Sequence, residues 1–73
     1  MCERLWKCRK SKNYTQREVA IYCDITERSY QNYELGEREP RLSILVRIAE
    51  FYQVSLDYLV GLTDNPVPYE RKK

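Results

Sequence analysis

Apolar residues recur along the chain at intervals of three and four, which is the spacing of one face of an α-helix. The clearest run lies between positions 42 and 52, and its apolar positions are Leu42, Leu45, Ile48, Ala49 and Tyr52. No segment alternates apolar and polar residues for long enough to indicate a β-strand. The pattern therefore predicts an all-α fold of five short helices.

A short polar break separates the first two predicted helices. The first helix turns Leu5 and Cys8 inward and ends at Asn13, because asparagine tolerates left-handed backbone. Thr15 and Glu18 form a capping box at the start of the second helix, since each side chain can bond the backbone N–H of the other residue. Two helices joined by a tight turn are therefore expected.

The break between the second and third helices covers Asp24, Ile25 and Thr26. A connection this short joins two apolar faces only if the helices cross steeply, as they do in a helix-turn-helix unit. Thr26 provides the N-cap of a third helix over 26–35, and Gly36 ends it.

The two faces of the third helix differ in chemistry. Its inward face carries Tyr30, Tyr33 and Glu34, at helical spacing. Its outward side carries four side chains that hydrogen-bond readily, namely Glu27, Arg28, Gln31 and Asn32. A polar outward face is most often solvated surface, so this pattern alone does not identify a binding site.

The C-terminal part of the chain follows a charged loop over residues 37–41. A fourth helix and then a fifth, at 56–60, come next, and Ser55 and Gly61 bound the fifth. Two prolines and three terminal basic residues mark the tail. We expect a domain at 1–62 and a disordered or loosely docked tail at 63–73.

Composition limits the classes of protein that remain. A length of 73 residues leaves room for one domain, and 13 basic against 11 acidic residues give a net charge of only +2. That balance is far from the strongly basic charge of a non-specific nucleic-acid coat. The chain has neither an apolar run of membrane-spanning length nor a secretory signal, so a cytoplasmic protein is expected.

Catalytic and metal-binding chemistry have little support in the sequence. The chain has no histidine, and its three cysteines, at positions 2, 8 and 23, fit no zinc module. Gly36 and Gly61 are the only glycines, so there is no glycine-rich phosphate loop. We therefore expect no enzyme activity, no metal, no cofactor and no small-molecule ligand.

The ordered set of these features resembles the Cro/repressor-type (Xre-like) helix-turn-helix family over roughly positions 4 to 65. The residues that carry the resemblance are Thr15, Gln16, Ala20, Ile25, Thr26, Tyr33, Glu34, Gly36, Pro40, Ile48, Ala49 and residues 54–59. The resemblance implies a five-helix, lambda-repressor-like DNA-binding domain. Its third helix would enter the major groove, and its second would cross the phosphate backbone.

The resemblance also implies roles for individual residues. The positions implied to read bases are Glu27, Arg28, Gln31 and Asn32. The positions implied to bind phosphate are Gln16, Arg17, Thr26, Arg38 and Arg41. Arg9 and Glu34 match a structural ion pair between the first and third helices.

One departure from the family pattern affects the turn after the fourth helix. Gln53 stands where the family commonly has glycine. Glutamine adopts left-handed backbone less readily than asparagine or aspartate, so a strained or differently built turn is expected there.

Two functions remain open at this stage. The first is a transcriptional regulator of a bacterium or phage, a repressor that binds a palindromic operator in double-stranded DNA as a homodimer. Its dimer contact would lie in the fifth helix and residues 58–66. The alternative is a protein-binding module with the same fold, an antirepressor or antitoxin-like partner. Glu27, Glu37 and Glu39 favour the alternative, because acids beside the reading face repel phosphate.

Overall fold

A computed structural model describes residues 1–67 of the chain. In this range there are five helices and no strand, and the helices are α1 (Cys2–Ser11), α2 (Gln16–Cys23), α3 (Glu27–Leu35), α4 (Leu42–Tyr52) and α5 (Leu56–Val60). The predicted all-α, five-helix fold is confirmed. None of these helices is long and apolar enough to cross a membrane.

Side-chain caps fix where three of the helices begin. Thr15 Oγ1 accepts the N–H of Glu18 at 3.1 Å, and Glu18 Oε1 accepts the N–H of Thr15 at 2.9 Å, which completes the predicted capping box. Thr26 and Ser55 each accept the backbone N–H three residues further on. Thr26 is thus the N-cap of α3, and Glu27 is its first helical residue.

Left-handed backbone ends α2 and α4 without a glycine. Asp24 follows α2 with φ 58°, and Gln53 follows α4 with φ 58° and ψ 45°. The N–H of Gln53 bonds the carbonyl of Glu50 at 3.2 Å, as in an ordinary left-handed helix end. The turn is therefore built as a glycine would build it, and the strain expected there is confined to the backbone of Gln53.

The core lies where the helices converge around the α2–α3 pair. α2 packs against α3 and α4, whereas α1 packs against α3 and α5. The buried apolar residues are Leu5, Cys8, Val19, Ala20, Cys23, Tyr30, Leu45, Ile48, Ala49, Tyr52, Val54 and Leu59. Burial raises the pKa of Cys23 to about 11, so its thiol is protonated at neutral pH and packs as a small apolar group.

The segment after α5 bonds back to the helices as far as the structure describes it. Arg4 donates to the carbonyl of Thr63, and the N–H of Ser55 donates to the carbonyl of Pro66 at 3.0 Å. The domain boundary at residue 62 stays a prediction, but residues 63–67 are docked on the helical part. The rest of the predicted tail, residues 68–73 with its three basic residues, lies outside the described residues.

The conformation of Gln53 predicts that Gln53→Gly stabilises the protein by about 0.5–1 kcal/mol. Glycine removes the free-energy cost of left-handed backbone in the folded state. This gain exceeds the free-energy cost of the extra conformational entropy that glycine gives the unfolded chain. Urea unfolding followed by circular dichroism measures the difference. Glu50→Gly is the control, and it should destabilise by about 1 kcal/mol because it puts glycine inside α4. Equal effects of the two substitutions would contradict the prediction.

Candidate nucleic-acid interface

The turn between α2 and α3 is short and fixed at both ends. The N–H of Ile25 donates to the carbonyl of Ala20 at 3.0 Å, across the left-handed residue Asp24. Ala20 is buried and small, so α3 can approach α2 closely at this point. Ile25 packs against the core, and Thr26 then begins α3. α2 and α3 therefore form a helix-turn-helix unit with a short, hydrogen-bonded turn.

The four residues predicted to read bases share one side of α3. Glu27, Arg28 and Gln31 are exposed, and Asn32 is half-buried. Their spacing places them away from Tyr30, which is fully buried. The backbone carbonyl of Asn32 accepts the N–H of the first loop residue after Gly36 at 3.0 Å, which ties the loop to the end of α3. The structure thus brings these four polar side chains together at the surface, and the apolar Leu35, 61% exposed, follows them at the end of the helix.

Four arginines, one on this face and three in the neighbouring elements of the chain, have no carboxylate partner in the described residues. They are Arg17 on α2, Arg28 on α3, and Arg38 and Arg41 in the loop that leads to α4. All four are exposed, and the ion pairs formed within residues 1–67 join other residues. Guanidinium groups in this state are suited to phosphate oxygens and guanine edges.

Arg9 and Glu34 form a bidentate ion pair between α1 and α3. Arg9 Nε donates to Glu34 Oε2 at 2.7 Å, and Arg9 Nη2 donates to Glu34 Oε1 at 3.1 Å. Their side chains are 13% and 5% exposed. The remaining nitrogen of the guanidinium donates to the carbonyl of Tyr14 at 3.2 Å, so the same group also holds the α1–α2 turn.

Two of the predicted phosphate-binding side chains already have partners inside the protein. Gln16 Nε2 donates to Glu34 Oε1 at 3.2 Å, which fastens the first turn of α2 to α3. The hydroxyl of Thr26 accepts the N–H of Ser29 and donates to its Oγ at 2.9 Å. Gln16 keeps a second amide hydrogen and its helix-terminal backbone N–H for an external acceptor.

Electrostatics stabilise the ionised form of the buried pair. Burial by itself raises the pKa of the Glu34 carboxyl, but hydrogen bonds from Arg9, Tyr30 and Gln16 bring it below its ordinary value. The hydrogen bond to Glu34 raises the pKa of Arg9. Both directions describe a pair that is charged at neutral pH.

A buried hydroxyl pair behind Glu34 was not anticipated from the sequence. The hydroxyls of Tyr30 and Tyr52 are 2.6 Å apart, and both side chains are fully buried. Burial raises the pKa of each phenol, so both stay neutral. The inward positions of the two tyrosines were a usable signal, because a buried phenol requires a hydrogen-bond partner.

The fold and this polar face define a helix-turn-helix protein, and comparison with known families agrees. A family profile described as helix-turn-helix matches residues 7–59, so the chain belongs to that family. The resemblance to Xre-like helix-turn-helix proteins is confirmed.

Named relatives carry the comparison further. The chain is 40% identical to the uncharacterized HTH-type transcriptional regulator YobD of Bacillus subtilis, over 99% of the chain and 64% of YobD. It is 48% identical to the similarly named YqaE of the same organism, over 80% of the chain and 50% of YqaE. It is 42% identical to RstR, the cryptic phage CTXphi transcriptional repressor of Vibrio cholerae, over 81% of the chain and 53% of RstR.

The chain thus spans between half and two thirds of the length of these relatives. No solved structure matches it.

The Arg9–Glu34 pair predicts a specific loss of stability in acid. Arg9→Met leaves Glu34 buried without its partner, so it should lower the free energy of unfolding by about 3 kcal/mol at pH 7. Because the folded-state pKa of Glu34 is lowered, the stabilisation is present above the ordinary value of 4.5 and is lost as the pH falls below it. Without Arg9, burial favours the protonated form of Glu34, which relieves the loss in the variant already above pH 4.5. The gap in unfolding free energy between wild type and Arg9→Met should therefore narrow as the pH falls from 7 and continue to narrow below pH 4.5 in urea titrations.

Two further variants control this measurement. Glu3→Gln removes the exposed pair of Glu3 with Lys7, 3.2 Å apart, and should change stability by less than about 1 kcal/mol. Arg9→Met combined with Glu34→Leu removes both charges and should recover part of the loss. A gap that stays constant between pH 7 and pH 3 would refute the assignment of the acid loss to this pair.

Proposed function

We propose that this protein is a sequence-specific DNA-binding transcriptional regulator, a repressor that binds a palindromic operator as a homodimer. The observation that carries the proposal is the exposed polar face of α3, which includes Arg28, together with three more arginines on α2 and in the loop after α3; in the described residues none of the four has a carboxylate partner. The relatives named as transcriptional regulators, with a phage repressor among them, support the same function. Its site of action is the DNA of the bacterial cytoplasm.

Base recognition follows from the side chains on the outward face of α3. Arg28 donates two hydrogen bonds to O6 and N7 of guanine. Asn32 or Gln31 pairs with the edge of adenine, and Glu27 accepts from the amino group of cytosine. Only the major groove offers these distinct patterns, and it is wide enough for a helix.

Phosphate contacts orient α3 in the groove. Arg17, Arg38 and Arg41 contribute charge, and they are distributed over α2 and the loop after α3. Gln16 lies at the N-terminus of α2, where helix N–H groups favour an anion. Thr26 belongs to the same phosphate-binding set at the start of α3. These contacts set position and affinity, whereas the α3 face sets sequence preference.

A homodimer follows from the small reach of one recognition helix. Two copies on a palindrome place their α3 helices one helical turn, about 34 Å, apart. The dimer contact lies in α5 and residues 58–66. A domain of this kind represses by occupying its operator, without enzymatic activity or a small-molecule ligand.

The second candidate is a protein-binding module that keeps the fold as an antirepressor or antitoxin-like partner. It is favoured by exposed acids beside the reading face, at Glu27, Glu37 and Glu39. Salt separates the two candidates, because DNA affinity falls steeply with salt as counterions are released. A flat salt dependence of binding would support the protein partner.

Selection from random-sequence duplex DNA with the purified protein tests the proposal directly. The expected result is a consensus with two inverted half-sites about one helical turn apart. Recovery of no consensus, with binding insensitive to sequence, would reject sequence-specific regulation.

Arg28 and Arg41 form a matched pair for testing the two kinds of contact. Arg28→Ala should weaken binding to the selected sequence by about 1–3 kcal/mol and leave binding to random DNA nearly unchanged. Arg41→Ala should weaken both equally and reduce the slope of log affinity against log salt by about 1. Fluorescence anisotropy titrations at several salt concentrations measure both effects. Identical behaviour of the two variants would refute the role of Arg28 as a base reader.

A further inference from the structure

Arg4 connects the first helix to the last described segment of the chain. Its Nη1 donates to the carbonyls of Tyr58, at 3.0 Å, and of Thr63, and its Nη2 donates to Asp64 Oδ1 at 2.6 Å. The guanidinium also lies over the ring of Tyr58, 4.4 Å from its centroid, within cation–π range. One side chain thus holds α5 and residues 63–64 together from 54 to 60 positions away in sequence.

The segment held by Arg4 has an unusual surface for this chain. Residues 58–67 contain a single charged side chain, Asp64, although a third of the whole chain is charged. Three apolar side chains of the segment face solvent, and they are Val60 (39% exposed), Leu62 (77%) and Val67 (66%). Exposed apolar side chains in one short segment are typical of a contact surface.

We propose that Arg4 is the positioning residue of the homodimer: it fixes residues 58–67 in one shape and cancels their only charge, so that a second copy packs on them. This inference rests on the proposed function, because it specifies how that function's dimer is formed. Arg4 itself lies on α1, outside the residues assigned to the contact.

The charge of the segment favours a second copy of the same chain as the partner that packs on this surface. In a two-fold contact each patch meets its own copy, so an uncompensated charge near the axis would face a like charge. Asp64 is almost fully exposed, yet its carboxylate is paired with Arg4. The segment's own side chains are therefore apolar or uncharged apart from this compensated pair, which suits contact with itself. The lysines beside it, Lys7 and Lys12, lie at the cavity between α1 and the segment.

Arg4 also holds residues 63–64 in a fixed conformation. Apart from Arg4, the segment's backbone bonds to the rest of the protein include Leu62 N–H to the Asp57 carbonyl at 2.8 Å and Ser55 N–H to the Pro66 carbonyl at 3.0 Å. Neither of these holds Thr63 or Asp64. Ordering a loose segment at the moment of association costs affinity, whereas a surface that is already ordered avoids that cost.

The test compares wild type, Arg4→Met and Arg4→Met/Asp64→Asn, with Lys10→Met as control. Lys10→Met makes the same charge change on the same helix, and Lys10 is exposed and lies over the Trp6 ring, 6.0 Å from its centroid, rather than beside residues 58–67. Sedimentation equilibrium of the free proteins measures dimerisation. Anisotropy with the selected palindrome and with a single half-site separates pairing between copies from DNA reading.

Arg4→Met should weaken pairing on the palindrome roughly 10-fold while half-site affinity stays unchanged. The double variant removes the unpaired charge of Asp64 but does not restore the hydrogen bonds of Arg4, so it should recover only part of the lost pairing affinity. Lys10→Met should behave as wild type. NMR relaxation of the backbone amides of residues 63–67 measures the order of the segment. The order parameters should fall below about 0.6 in Arg4→Met, which a change in global stability alone would not produce.

Two outcomes overturn the inference, and they are distinguishable. If wild type dimerises and Arg4→Met dimerises equally well, the role of Arg4 is wrong and the proposed function stands. If wild type remains a monomer both free and on the palindrome, the proposed dimer fails together with the inference. Urea unfolding checks that each variant is folded. Arg4→Lys, which keeps the charge but not the three-acceptor geometry, replaces Arg4→Met if the latter does not fold.

Discussion

The bidentate bond between Arg9 and Glu34 determines how the two helices of the helix-turn-helix unit are placed. It joins α1 to α3, and through Tyr14 and Gln16 it also fixes the α1–α2 turn and the first turn of α2. Because the pair is largely removed from water, either partner left alone would be an uncompensated charge. One ion pair therefore sets the spacing between the start of α2 and the exposed face of α3.

Six of the arginines in the described residues fall into two groups by environment. Arg4 and Arg9 satisfy acceptors from distant parts of the chain, and each bonds a carboxylate and at least one backbone carbonyl. The second group, Arg17, Arg28, Arg38 and Arg41, is exposed without a carboxylate partner in the described chain. The same region also carries the exposed acids Glu27, Glu37 and Glu39, so its charge is mixed, like that of the chain as a whole.

Helix ends were predictable because capping chemistry is local. Thr15, Thr26 and Ser55 bond N–H groups three residues away, within reach of any chain that begins a helix there. Gln53 was harder, since its own preference opposes left-handed backbone. Packing of α4 and α5 on the core overrides that preference by fixing the path of the chain between them.

The sequence by itself determined the five helices, their caps, their inward faces and the family. These depend on periodicity and on contacts between near neighbours. Tertiary structure alone decided that Tyr30 bonds Tyr52, that Gln16 bonds Glu34, and that Arg4 holds residues 63–64. These pairs lie 18 to 60 positions apart. A hydrogen bond tolerates a variation of only a few tenths of an ångström in the donor–acceptor distance, and it also requires the right direction. Only the packed arrangement of the helices sets both for groups that lie far apart in the sequence.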